Sequence, residues 1–118
     1  MDNRLVRALV LMLGLGTAVV ASAGKLEKAF EALKVYNYFL ARQLFQGQVA
    51  KEPAAAWYGL SVIAGRADNP FHQPDSAYTY LVRAEAAFAL SDERTRERIK
   101  PLGVDTEALA AQRAFLHG

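Results

Sequence analysis

The 118-residue chain contains no cysteine, which excludes a disulfide scaffold and any metal site built on thiolates. Proline is scarce as well, and four residues in the whole chain exclude a proline-rich linker. The chain also has no large excess of either charge, because it contains 14 basic and 12 acidic residues and its formal net charge is +2. This balance argues against a nucleic-acid-binding protein, whose phosphate contacts need a strongly basic surface.

Catalytic motifs are absent too. The sequence has no Gly-x-Ser-x-Gly, no His-Glu-x-x-His and no phosphate-binding loop. Apolar residues are plentiful, since hydrophobic residues make up 53% of the chain and charged residues 22%. That composition is typical of one small folded domain and excludes a disordered tail. We therefore expect a domain that is not an enzyme and needs no cofactor.

The first 23 residues have the organisation of a secretory signal peptide. Arg4 and Arg7 provide the positive start, and the uncharged, mostly apolar run 8–20 follows them. The segment ends at residues 21–23 in Ala-Ser-Ala, the small-x-small pattern that signal peptidase accepts. As a helix the apolar run spans about 20 Å, which is shorter than the roughly 30 Å hydrocarbon core of a bilayer.

This signal predicts that residues 1–23 are removed and that residues 24–118 form the mature domain. Export would place the domain in the periplasm or the cell envelope, with membrane contact only through the signal segment before cleavage. The alternative is an uncleaved anchor that retains residues 4–22. No cysteine follows the predicted cleavage site, so a lipid-modified cysteine is excluded.

Beyond Gly24 the apolar residues recur with the spacing of amphipathic helices. The predicted helices lie at about 24–36, 38–50, 54–66, 75–90, 91–100 and 105–116. A loop is predicted at 67–74, where prolines and an asparagine occur close together. No segment alternates polar and apolar residues with the two-residue period of a strand, so the predicted fold class is all-α.

The second helix of each predicted pair carries a small residue four positions before a large apolar one. The pairs are Ala41/Phe45, Ala77/Leu81 and Ala111/Phe115. They recur at intervals of about 35 residues, close to the period of a known helical repeat. A small side chain lets two helices approach closely, and the large side chain one turn later fills the neighbouring groove. The pattern therefore predicts stacked helical hairpins.

Residues 25–116 resemble the tetratricopeptide repeat family, whose period is about 34 residues. The resemblance is strongest at 38–45, a helix that Pro53 closes, and at 55–60. It implies an α-solenoid of two to three stacked antiparallel helix pairs, whose first helices line a concave groove. The sequence departs from the family pattern at the inserted loop 68–74 and in the short, charged first helix of the third repeat. The loop and the helix after it are also similar to elements of exported repeat proteins of the bacterial envelope.

The resemblance implies a scaffold or adaptor of the periplasm or cell envelope that binds a protein or peptide in its groove. Aromatic residues are dense in the chain, and tyrosine and tryptophan make good interface anchors. The predicted partner-binding residues are Tyr36, Tyr58, Arg66 and His72. No nucleic-acid partner is expected, since basic and acidic residues are interleaved.

His72 lies between two acidic residues, Asp68 and Asp75, in the predicted loop and at the start of the next helix. Such a grouping would fit a metal site or an acid–base site. The simpler interpretation is that Asp75 caps the helix, Asp68 shapes a turn and His72 is solvated. We therefore expect no metal at this position.

Two alternatives to a complete adaptor stay open. The last helix ends in Phe115 and Leu116, with no later helix to cover them. The domain is then the amino-terminal part of a longer protein whose activity lies downstream, and in isolation it self-associates through its carboxy-terminal helix. A small helical enzyme is the second alternative and would need a convergent pair of carboxylates, for which Glu27, Glu31 and Glu85 are the candidates.

Overall fold

A computed structural model describes residues 24–118, and the predicted signal segment lies outside the described residues. Within the described part, the chain forms six α-helices and one 3-10 turn, with no β-strand. The helices are α1 (24–34, as far as it is described), α2 (Tyr38–Gln48), α3 (Pro53–Gly65), α4 (Pro74–Leu90), α5 (Glu93–Ile99) and α6 (Thr106–His117), and the 3-10 turn is Lys100–Leu102. The predicted all-α class is confirmed.

Acidic side chains cap the last two helices. The Asp92 carboxylate accepts a hydrogen bond from the Thr95 N–H of α5 at 2.8 Å, and Asp105 accepts one from the Ala108 N–H of α6 at 2.8 Å. Each bond satisfies a backbone donor that has no partner within its own helix. Hydrogen bonds from Thr95 also lower the pKa of Asp92, because they favour its charged form.

Proline begins both α3 and α4. Pro53 and Pro74 stand in the first helical turn, where the missing N–H removes no hydrogen bond from the helix. The N-cap residue of α4 is Gln73, and its side chain makes no capping hydrogen bond. The prediction that Asp75 caps this helix is therefore wrong. Asp75 lies inside the first turn, where its charge interacts favourably with the helix dipole.

Helix α3 lies at the centre of the domain. Nine of its 13 residues are buried, because α2, α4 and α6 all pack against it. On the α2 side, the Phe45 ring lies over Gly59, where an added Cβ atom would come within 2.3 Å of the ring. On the α4 side, the Ser61 hydroxyl donates a hydrogen bond to the Ala77 carbonyl at 2.8 Å. A helix covered on this many sides must be apolar nearly all round.

The small and large residues that the repeat pattern pairs are buried in α2 and α4. Ala41 and Phe45 of α2 have no exposed surface, and neither have Ala77 and Leu81 of α4. Phe30 of α1 meets Phe45 edge to face, with ring centroids 4.9 Å apart. The sequence pattern therefore predicted the inner faces of these two helices correctly.

Helix α6 turns a different face to the core from the one that its pattern predicts. Ala111 is exposed and Phe115 is 58% exposed, while Leu109 and Gln112 are buried. The Gln112 side chain holds this orientation, since its Nε2 donates a hydrogen bond to the Ser61 carbonyl of α3 at 3.1 Å. The prediction that Ala111 and Phe115 form the inner pair of α6 is therefore wrong.

Helix α6 runs parallel to α3. Gln112 contacts Ser61, and one turn later Leu116 lies 3.0 Å from the place that a Cβ atom on Gly65 would occupy. Since α4 runs antiparallel to α3, it also runs antiparallel to α6, against which it packs. Helices α3 and α4 thus form an antiparallel pair, which α1 and α2 precede and which the short α5 and α6 follow.

Candidate functional site

Two adjoining depressions lie on one face of α3, one beside α1 and the other beside α6. Both are lined by Tyr58, Val62 and Arg66, which are spaced four residues apart. The part beside α1 and the 3-10 turn encloses about 240 Å³, and the part beside α6 encloses about 280 Å³. The other lining residues are Phe30, Leu33, Lys34, Tyr36, Leu102, Gly103, Ala108, Ala111, Gln112 and Phe115. We call this surface the α3 groove.

The structure brings three of the four predicted partner-binding residues together. Tyr36, Tyr58 and Arg66 all line the α3 groove, whereas His72 lies at the opposite face of α3. Sequence reasoning missed Val62, which lines both depressions. The helical spacing of four residues from Tyr58 to Val62 and on to Arg66 is the signal that could have found it.

Tyr36 stands at the end of α1 in a conformation that is rare for its residue type. Its φ angle is +62°, in the left-handed region. The conformation ends the helix, because the Asn37 N–H then donates to the Ala32 carbonyl at 2.9 Å and the Tyr36 N–H donates to the Leu33 carbonyl at 3.2 Å. Glycine usually fills this position, since other residues lose roughly 1–2 kcal/mol there. Tyr36 is 68% exposed, and an exposed side chain on strained backbone is a candidate functional position.

Arg66 is held in place by a short polar chain. Its Nη1 donates to the Tyr38 hydroxyl at 3.4 Å, and that hydroxyl donates to both carboxylate oxygens of Asp68 at 2.9 Å. Within residues 24–118, Arg66 itself forms no ion pair. The groove therefore contains a half-buried positive charge that is oriented without being neutralised by direct contact.

The Tyr58 phenol lies half-buried beside this charge. Burial raises the pKa of Tyr58, the positive charge of Arg66 opposes the rise, and the negative charge of Asp105 adds to it. The hydroxyl therefore stays protonated at neutral pH and can donate or accept a hydrogen bond in the groove.

Exposed aromatic rings flank Arg66 on both sides of the groove. Tyr36 stands on the α1 side, and Phe115 stands on the α6 side. Between them α6 contributes the small side chains of Ala108 and Ala111 together with the side chain of Gln112. The predicted self-association through α6 stays a prediction, for which the exposed ring of Phe115 is the relevant feature.

The groupings considered for catalysis or metal binding are not assembled. Asp68 accepts hydrogen bonds from the Tyr38 hydroxyl, and Glu85 is paired with Arg113. The two remaining acidic candidates lie on the exposed face of α1. Within residues 24–118, no group of three or more histidine and acidic side chains is arranged to hold a metal ion.

No family model, curated protein or solved structure matches this chain. Among the helices of residues 24–118, none combines the length and the hydropathy that crossing a membrane requires. The functional proposal therefore rests on the α3 groove and its side chains.

Proposed function

We propose that residues 24–118 form a tetratricopeptide-like interaction module that binds a segment of a partner protein in the α3 groove. The observation that carries this proposal is the pair of adjoining depressions that share Arg66, with the exposed side chain of Tyr36 in one and that of Phe115 in the other. Tyrosine and arginine dominate the energetics of protein interfaces, above all where neighbouring side chains exclude water from them. The module acts as a scaffold or adaptor and not as an enzyme.

The chemistry of the groove selects the partner segment. Arg66 and Lys34 are the cationic side chains that line it, so the segment carries a carboxylate that faces them. Apolar side chains of the segment pack on Val62 and between the rings of Tyr36 and Phe115. The preferred partner is thus a stretch that combines acidic and apolar residues.

The order of the helices supports the repeat-like part of the proposal. The buried small–large pairs of α2 and α4 fit the arrangement of stacked helical hairpins, in which α1/α2 and α3/α4 would be the first two pairs. In such an array the helix that follows α4 packs beside α3 and runs parallel to it, and α6 does this. We infer that α6 corresponds to the first helix of a third pair and that the short helix α5 is an insertion before it. A longer protein in which further helices follow is compatible with this placement.

Export to the periplasm or the cell envelope is part of the same proposal and rests on the amino-terminal sequence alone. Amino-terminal sequencing of the exported protein tests it, with a first residue of Gly24 as the expected result. Retention of residues 1–23 in the envelope fraction would instead favour the anchored form.

Panning the purified chain against a library of random short peptides tests the groove. We expect the selected peptides to share an acidic residue near an apolar one. Their affinity is expected to fall at least about tenfold in Arg66→Gln, because a charge-assisted hydrogen bond is lost. Phe115→Ser is expected to weaken the same peptides through loss of an aromatic anchor.

The matched control is Leu90→Ser, which removes an apolar side chain that is 89% exposed and does not line the groove. This variant is expected to bind the selected peptides with unchanged affinity. Peptides that bind wild type, Arg66→Gln and Phe115→Ser equally well would show that the α3 groove is not the binding surface.

A further inference from the structure

A second concave site lies on the face of α3 that points away from the α3 groove. Its floor consists of Leu60, Ile63 and Ala64, which are buried and lie across the helix from Tyr58 and Val62. The cleft encloses about 270 Å³. Its rim is formed by Arg42, Pro70, Phe71, His72, Gln73 and Tyr80. We call it the Arg42 cleft.

The loop wall of the Arg42 cleft is tied to the end of α3 by its own hydrogen bonds. The Asn69 amide nitrogen donates to the Ile63 carbonyl at 3.0 Å, and its amide oxygen accepts from the Phe71 N–H at 2.9 Å. Further along, the Gln73 N–H donates to the Ala64 carbonyl at 2.8 Å. Since the wall is already ordered, a ligand need not supply the free energy to order it.

Arg42 is positioned in this cleft without a polar partner. Its guanidinium carbon lies 4.5 Å from the centre of the Phe71 ring, and the side chain is half-buried. Two arginines of α5 are engaged by polar groups, since Arg98 pairs with Glu52 at 2.6 Å and Arg96 donates to backbone carbonyls. Within residues 24–118, Arg42 forms no ion pair and donates no side-chain hydrogen bond.

We propose that the Arg42 cleft binds a small organic carboxylate with an apolar body. The guanidinium of Arg42 takes the carboxylate through paired N–H donors, and the apolar body covers Leu60 and Ile63. The cleft, at about 270 Å³, lies just below the range of ordinary small-molecule sites, which is about 300–1,000 Å³. A small ligand, such as a six- or seven-carbon carboxylate, therefore suits it. A ligand of this size on a preformed site is expected to bind with a dissociation constant of about 1 mM or lower.

Titration of the full chain with hexanoate and with benzoate, followed by amide chemical shifts, tests the proposal. We expect saturable shifts at Phe71 and Gln73, which line the cleft. Hexanol and hexylammonium, which keep the apolar body and lose the carboxylate, are expected to bind at least about tenfold more weakly. Acetate and inorganic phosphate, which lack the apolar body, are expected to bind weakly as well.

Two variants separate the cleft from a general effect of charge. Arg42→Gln is expected to weaken hexanoate at least about tenfold, and Arg42→Lys less, because lysine keeps the charge without the paired donors. The control is Arg94→Gln, which removes the same charge from an exposed position on α5 and is expected to change nothing.

Equal binding of hexanoate and hexanol by the wild-type chain would overturn the proposal, and this comparison holds even if Arg42→Gln does not fold. Equal binding of hexanoate and inorganic phosphate would overturn the role of the apolar floor. Hexanoate shifts that persist in a folded Arg42→Gln variant, or that map to the α3 groove, would also overturn it.

Discussion

Helices α2 and α6 carry the same local pattern, an alanine four residues before a phenylalanine, and they use it in opposite ways. Phe45 of α2 has no exposed surface, whereas Phe115 of α6 is 58% exposed. The Phe45 ring packs into the core, because Gly59 leaves room for it on α3 and the Phe30 ring contacts it edge to face. Phe115 only borders a glycine, since its ring lies 3.6 Å from the place of an added Cβ atom on Gly65, and most of its surface stays exposed.

The difference shows that the partner surface selects which face of a helix is buried. Helix α6 contacts α3 through the hydrogen bond from Gln112 to Ser61. It contacts α4 through the ion pair between Arg113 and Glu85. Those contacts turn Phe115 outward to the rim of the α3 groove. In α2 the pattern builds the core, and in α6 it supplies a candidate binding side chain.

The largest expected contrast is between truncations of the two phenylalanines. Phe45→Ala is expected to lower the free energy of unfolding by about 3–5 kcal/mol, since it opens a cavity among α1, α2 and α3. Phe115→Ala is expected to change it by about 0.5 kcal/mol or less. Denaturant unfolding of both variants measures the difference, and equal losses would contradict the different roles of the two helices.

Enlarging the alanine of each pair is expected to give the next largest contrast. Ala41→Leu and Ala77→Leu place a larger side chain where no surface is exposed, at an expected loss of about 1–3 kcal/mol. Ala111→Leu adds the same atoms at an exposed position and is expected to leave the melting temperature nearly unchanged. Thermal melts in which all three variants fall together would show that Ala111 is also at a tight helix contact.

The hydrogen bond that orients α6 is expected to contribute less than the packing of Phe45. Gln112→Ala removes the hydrogen bonds to the Ser61 carbonyl and hydroxyl. We expect it to lower the free energy of unfolding by roughly 1–2 kcal/mol. The control is Gln43→Ala, because Gln43 is exposed on α2. We expect hydrogen exchange to quicken in α6 of Gln112→Ala and not in α2. Unchanged protection of α6 would mean that other contacts orient this helix.

The smallest effect concerns the end of α1 and has the opposite sign. Tyr36→Gly is expected to stabilise the domain by about 1 kcal/mol, because glycine adopts the left-handed conformation without strain. The same variant is expected to weaken peptides selected on the α3 groove, since the exposed ring is gone.

Tyr36→Ala separates the two effects of that substitution, because it removes the ring and keeps the strained backbone. It is expected to weaken peptide binding without raising the melting temperature. A gain of stability in Tyr36→Gly with unchanged peptide affinity would assign the tyrosine no part in the groove.

The sequence predicts several residues of the candidate site, but it does not predict how they are arranged in space. The density of aromatic residues pointed to Tyr36 and Tyr58, and the structure places both in one groove with Arg66. His72 was grouped with them by its place in a loop, yet it lies across α3 at the Arg42 cleft. Arg42 itself carried no local signal, because its cleft forms only when α2 meets the loop after α3.

The sequence by itself determined where the helices begin and end, because those points depend on neighbours a few residues away. Asp92 and Asp105 cap helices whose donors lie three residues further on, and Pro53 begins a helix through its own ring geometry. Only the tertiary structure decided which face of α6 is buried. That choice depends on Gln112 meeting Ser61, 51 residues earlier in the chain, and no local pattern records a contact of this range.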